Sequence, residues 1–118
     1  MPRITISYMP KPITAIIVSV DYGDYLALSL PYNKGFFSKV IVVTAPDDIT
    51  TRSVCEQNQV EMIQSTCFWE RQAPFNKAAG LNLALKAAKT SYICALDADV
   101  LLPCEAAPAL DTIGAEYL

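Results

Sequence analysis

Short β-branched runs, separated by longer mixed segments, set the rhythm of this chain. Ile13-Thr14-Ala15-Ile16-Ile17-Val18-Ser19-Val20 is apolar almost throughout. A run without a polar face predicts a strand covered on both sides, as in the centre of a parallel sheet. Lys39-Val40-Ile41-Val42-Val43-Thr44 predicts a second buried strand. Val60-Glu61-Met62-Ile63-Gln64 predicts a shorter third, and Ser91-Tyr92-Ile93-Cys94-Ala95-Leu96 a buried fourth.

The intervening segments suit helices. Asp21-Tyr22-Gly23-Asp24 reads as a turn, and Tyr25 to about Asn33 as a helix with Asp24 as its N-cap. Pro31 predicts a kink or an early end there. Ala45-Pro46-Asp47-Asp48 is the next turn, followed by a helix over 49–58. Residues 65–75 read as a loop in which Trp69 is either an anchor packed on the core, the favoured reading, or a platform for stacking a sugar or base. Asn76 can cap a helix running from Lys77 to Lys89. Asn82, Lys86 and Lys89 give that helix one polar face, with alanines and leucines on the other. Gly80 inside it costs ~1 kcal/mol relative to Ala, which points to close helix–sheet packing. A short helix is expected after Pro103. Residues 1–12, punctuated by Pro2, Pro10 and Pro12, read as an arm preceding one α/β domain over 13–118.

Strand–helix alternation predicts a Rossmann-like parallel sheet with right-handed crossovers and helices on both faces, for which the expected strand order is the doubly wound 3-2-1-4. Ligands of such sheets sit beyond the carboxyl ends of the strands, where the winding direction switches. With that order the crevice lies between the first and fourth strands. Asp21, Asp47 or Asp48, and Asp97 with Asp99 crowd the strand ends. Neighbouring carboxylates repel unless something positive joins them. Asp97 and Asp99 are two residues apart, so a persisting strand period points both the same way. Their hard oxygens suit Mg²⁺ or Mn²⁺, which completes its shell with water and substrate phosphate.

Composition narrows the choice of partner. The 118 residues carry 53% hydrophobic and 18% charged side chains, which argues for a well-buried body. Some of the apolar surface is expected to be covered by more chain or by an oligomeric partner. The net charge of -3, with no basic cluster, argues against nucleic acid. Cys55, Cys67, Cys94 and Cys104 form no CxxC, and no histidine completes a zinc site. The first three read as small buried residues. No signal peptide or membrane span is expected, and the bland localisation is cytoplasmic.

Phe75-Asn76-Lys77-Ala78-Ala79-Gly80-Leu81-Asn82, followed by Tyr92-Ile93-Cys94-Ala95-Leu96-Asp97-Ala98-Asp99, resembles family 2 glycosyltransferases of the GT-A fold. Their pattern is a small-residue helix bearing Gly and Asn, then a strand ending in the DxD signature. Ile16-Ile17-Val18-Ser19-Val20-Asp21-Tyr22 also fits their first nucleotide-contacting segment, although many members read Pro-Thr-Tyr-Asn there. The resemblance spans about residues 13–103 and implies a nucleotide-sugar donor, UDP-linked by preference. It implies that Asp99 coordinates Mn²⁺ or Mg²⁺ and that Asp97 contacts the nucleotide-sugar beside the same ion. Val20 and Asp21 would line a uridine-type pocket. Asp48 or Asp47 would lie near the base or ribose, and Asn76 and Lys77 near the ribose or diphosphate. Members continue well beyond this length. Their later half supplies the acceptor site and the carboxylate base of inverting enzymes, so this chain corresponds to the donor-binding half.

Two other functions compete. Asp97-Ala98-Asp99-Val100 also matches the DxDx[TV] nucleophile motif of haloacid dehalogenase-type phosphatases. That motif normally follows the first strand, whereas here it follows the fourth. A degenerate, non-catalytic domain that binds a nucleotide-sugar or a protein partner is the other alternative.

Overall fold

A computed structural model describes residues 12–72 and 74–111. Residues 1–11, most of the expected arm, lie outside the described residues. The strands are β1 (Ile13–Val18), β2 (Lys39–Thr44), β3 (Glu61–Gln64) and β4 (Tyr92–Ala95). The helices are α1 (Gly23–Asn33), α2 (Ile49–Asn58), α3 (Lys77–Ala87) and α4 (Ala106–Asp111). All three strand pairs are parallel and the order is β3-β2-β1-β4. The expected Rossmann-like α/β architecture is therefore what the chain adopts.

The side-chain period of two sorts the sheet into two cores. Ile13, Ala15 and Ile17 of β1, with Val40 and Val42 of β2, pack against Leu26 and Leu30 of α1 and Val54 and Cys55 of α2. Ile16 and Val18, with Ile41 and Val43, pack on the opposite face against Ala84 of α3 and the ring of Phe68. Helices thus cover both faces. Gly80 lets α3 settle onto the sheet. A methyl group there would collide with the Phe68 ring and come within 3.0 Å of Val18 Cγ2.

Four local expectations need correction. The fourth strand is not buried: Tyr92 and Cys94 are half-buried, while Ile93 and Ala95 are exposed. Among the described residues β4 pairs only with β1, so it is an edge strand there, and Ile93 and Ala95 on its α3-side face are left exposed. Second, α1 starts at Gly23, two residues early, and Asp24 is not the N-cap. The helix opens with the Leu26 N–H donating to the Tyr22 carbonyl. Gly23 packs against α2, where a Cβ would lie 2.6 Å from Thr50 Cγ2. Third, of the two effects expected of Pro31 an early end does not occur: α1 reaches Asn33, the expected bound, and a 3₁₀ turn over Lys34–Phe36 follows. Ala27 and Pro31 both face solvent, so water can satisfy the carbonyl that proline leaves without a donor. Fourth, Phe68, fully buried, anchors the 65–75 loop, whereas Trp69 is 40% exposed.

All four cysteines are free thiols. Cys55 is buried as expected, and burial first, then the nearby charges of Asp48 and Glu56, push its thiol up to about 11. Cys67 and Cys94 are only half-buried. Burial also raises the Cys94 thiol. No helix among the described residues is long and apolar enough to cross a membrane.

Candidate functional site

Because β1 and β4 are parallel neighbours, their carboxyl ends open onto one crevice. Past β4 the Leu96 N–H donates to the Ile16 carbonyl at 3.0 Å, carrying the pairing one residue further. Leu96 and Ala98 are buried, while Asp97 and Asp99 are exposed. The alternation thus outlasts the strand, and both carboxylates line the same cleft.

That cleft has a volume of about 280 Å³. Its lining combines apolar and aromatic side chains, Val18, Val20, Tyr22 and Phe75, with the charged Lys77, Asp97 and Asp99. Phe75 is held by stacking on Phe68, with centroids 5.2 Å apart and planes 9° from parallel. Tyr22 packs against Tyr25 at 5.8 Å. Lys77, the first residue of α3, donates from Nζ to Asp97 Oδ1. Both partners are about half exposed, so water screens the pair. Two carboxylates against one ammonium leave the charged lining with a net negative charge.

The exit segment of β4 is also held from below. Ser29 Oγ donates to the Ala98 carbonyl at 2.6 Å, and Asn33 Nδ2 donates to the Val100 carbonyl at 2.7 Å. The Leu102 N–H returns a bond to Asn33 Oδ1 at 2.9 Å.

Asp48 stands apart. Its Oδ1 accepts from the Thr51 N–H at 3.1 Å, capping α2. Its Oδ2 accepts from the Asp21 N–H at 2.8 Å and from the hydroxyls of Thr51 at 2.7 Å and Thr44 at 3.2 Å. Burial alone would raise its pKa, but the bonds from Asp21, Thr51 and Thr44 outweigh it and hold the carboxyl below its ordinary value. Asp21 itself takes a left-handed φ of 66°, a conformation non-glycine residues seldom adopt, with its N–H aimed at Asp48.

The sequence-predicted residues therefore separate into groups. Val20, Lys77, Asp97 and Asp99 share the cleft. Asp21 and Asp48 line a neighbouring hollow of about 230 Å³ with Gly23, Asp24 and Thr50. Asp47 and Asn76 line neither; Asn76 spends its side-chain oxygen on the Ala79 N–H at 3.3 Å, capping α3. Tyr22 and Phe75 were not singled out as site residues by sequence reasoning. The available signal was an aromatic side chain immediately beside a strand-end turn and beside a helix cap.

The donor set suits a hard cation. Among the described residues no group of three or more His, Cys, Asp or Glu side chains gathers to enclose a metal. Mg²⁺ and Mn²⁺ sites that serve phosphate substrates commonly use only one or two carboxylates, the rest coming from phosphate and water. Asp97 and Asp99 supply that number from exposed positions, and the ammonium of Lys77 already partners one of them. The chain matches no protein-family model, and no curated protein matches its sequence.

Proposed function

We propose that this domain binds a nucleotide-diphosphate sugar, UDP-linked by preference, through a divalent cation held by Asp99 and Asp97, as a glycosyltransferase donor site does. One observation carries the reading. Two outward carboxylates, a helix-terminal lysine and aromatic side chains converge where β1 and β4 part. In a doubly wound sheet this is the switch-point crevice.

Each side chain has a role suited to its chemistry. Val20, Tyr22 and Phe75 offer an apolar surface against which a base or sugar ring can lie. Lys77 offers one positive charge at the amino end of α3, where a diphosphate is favoured. Asp97 can accept hydrogen bonds from sugar or ribose hydroxyls while sharing the ion with Asp99. When bound, a divalent cation supplies Lewis acidity that offsets charge on a leaving diphosphate. Asp48, with its oxygens committed inside the fold, serves by fixing the turn that carries Val20 and Tyr22.

Calorimetric titration with UDP-glucose in Mn²⁺ and in EDTA tests this. Binding that requires Mn²⁺ supports the donor-site reading. Equal binding in both buffers, or none in either, contradicts it. Hydrolysis of a generic phosphate ester would favour the phosphatase alternative instead. A second reading, a non-catalytic binding domain, is favoured by the Lys77–Asp97 pair, which half-compensates the two carboxylates without any ion. Metal-independent UDP-sugar binding with no release of UDP over time would select it.

A further inference from the structure

We infer that Ser29 and Asn33 of α1 are positioning residues for the Asp97–Asp99 pair. The segment from Leu96 to Leu102 follows β4 and has no helix or strand of its own to fix it. Beyond the Leu96 N–H bond to the Ile16 carbonyl and a turn bond from the Val100 N–H to the Asp97 carbonyl, it is held by three hydrogen bonds that reach 67 to 69 residues back to α1. Two of these bonds bracket Asp99: the carbonyl before it is held by Ser29 and the carbonyl after it by Asn33. Asn33 uses both ends of its amide, donating to Val100 and accepting from Leu102.

Both side chains are buried, Asn33 to 2% exposure and Ser29 to 5%. A buried polar group left without its partner is costly, so these bonds resist alternative loop conformations. Residues 29 and 33 lie one helical turn apart on the same face of α1, which also buries Leu26 and Leu30 in the core. The segment bearing Asp97 and Asp99 is thereby clamped to the helix that begins next to Tyr22, another residue lining the cleft. Groups that orient a metal-bearing segment from behind typically change metal affinity by about 10- to 100-fold when removed.

This inference rests on the metal–diphosphate reading, and the experiment separates the two. UDP affinity is measured in Mn²⁺ and in EDTA, and the ratio gives the metal-dependent gain. The wild-type chain is expected to show a clear gain. Asn33→Leu and Ser29→Ala should each lower that gain about tenfold while leaving the affinity in EDTA within about twofold. Ser29→Thr, which keeps the hydroxyl, should retain the gain. A role in packing alone would lower both affinities together, or neither.

Should Asn33→Leu fail to fold, the Ser29→Ala and Ser29→Thr pair decides. A Ser29→Ala chain that melts cooperatively and keeps the wild-type gain overturns the inference and leaves the donor-site reading intact. The inference is also overturned if Ser29→Ala cannot fold, or if Ser29→Thr loses as much as Ser29→Ala. Absence of any gain in the wild-type chain removes the donor-site reading and this inference with it.

Discussion

Two acidic turns, at the carboxyl ends of the strands that flank β1, behave in opposite ways. Asp48, in the turn after β2, is 8% exposed and accepts four hydrogen bonds. Asp97 and Asp99, after β4, face water, and Asp97 meets a solvated lysine. Residue type and topological position are the same; what differs is how many donors the fold has already supplied. A carboxylate saturated by backbone and hydroxyl donors is part of the architecture. One that the fold leaves open is free to take a cation or a ligand.

The largest expected effect comes from breaking the saturated site. Asp48→Ala removes a helix cap and strands the Asp21 and Thr51 N–H groups, costing about 3 kcal/mol of stability in urea unfolding. Asp99→Asn should stay within about 0.5 kcal/mol of wild type in the same assay. Similar losses in the two variants would erase the distinction. The two sites should also differ in acid. Asp48 has a folded-state pKa below its ordinary value of 3.8, so its contribution is full above that value and lost as pH falls below it. The stability gap between wild type and Asp48→Ala should therefore stay constant above about pH 3.8 and narrow as pH falls below it, through the lower folded-state pKa.

Next in size is Gly80→Ala, which drives a methyl group into the Phe68 ring and toward Val18. Overpacking of this kind costs about 2 kcal/mol, readable as a lower Tm. Because α3 carries Lys77, a shift of that helix should also disturb the Asp97–Asp99 pair. An unchanged Tm would show that α3 has slack against the sheet. The smallest effect belongs to Lys77→Met. Its half-exposed ion pair contributes under ~1 kcal/mol, so stability should barely move and UDP affinity should fall about fivefold at most. A larger loss of stability would mean that the open site is structural after all.

Much of the fold is legible in the sequence. Nearly continuous β-branched runs at 13–20 and 39–44 suit strands covered on both faces, and their alternation with helical segments points to a parallel sheet. The two-residue spacing of Asp97 and Asp99 carried their common direction, because the strand period persists through Leu96 and Ala98. The fate of Asp48 was not legible, since its donors come from positions 21, 44 and 51 and meet only in the folded chain. The same holds for Ser29 and Asn33, whose partners lie in a segment 67 to 69 residues later. Exposure of β4 escaped for a different reason. The expected order 3-2-1-4 already places it at an edge, but its sequence is as apolar as that of a central strand and reads as buried on that ground.

The account turns on whether the open carboxylates gather a cation that in turn holds a diphosphate. Titrating UDP into wild type and Asp99→Asn, each in Mn²⁺ and in EDTA, measures this directly. The account expects the wild-type affinity to depend on Mn²⁺ and the dependence to vanish in Asp99→Asn, with the melting curve unmoved. An Asp99→Asn chain that binds UDP in Mn²⁺ as tightly as wild type would contradict it.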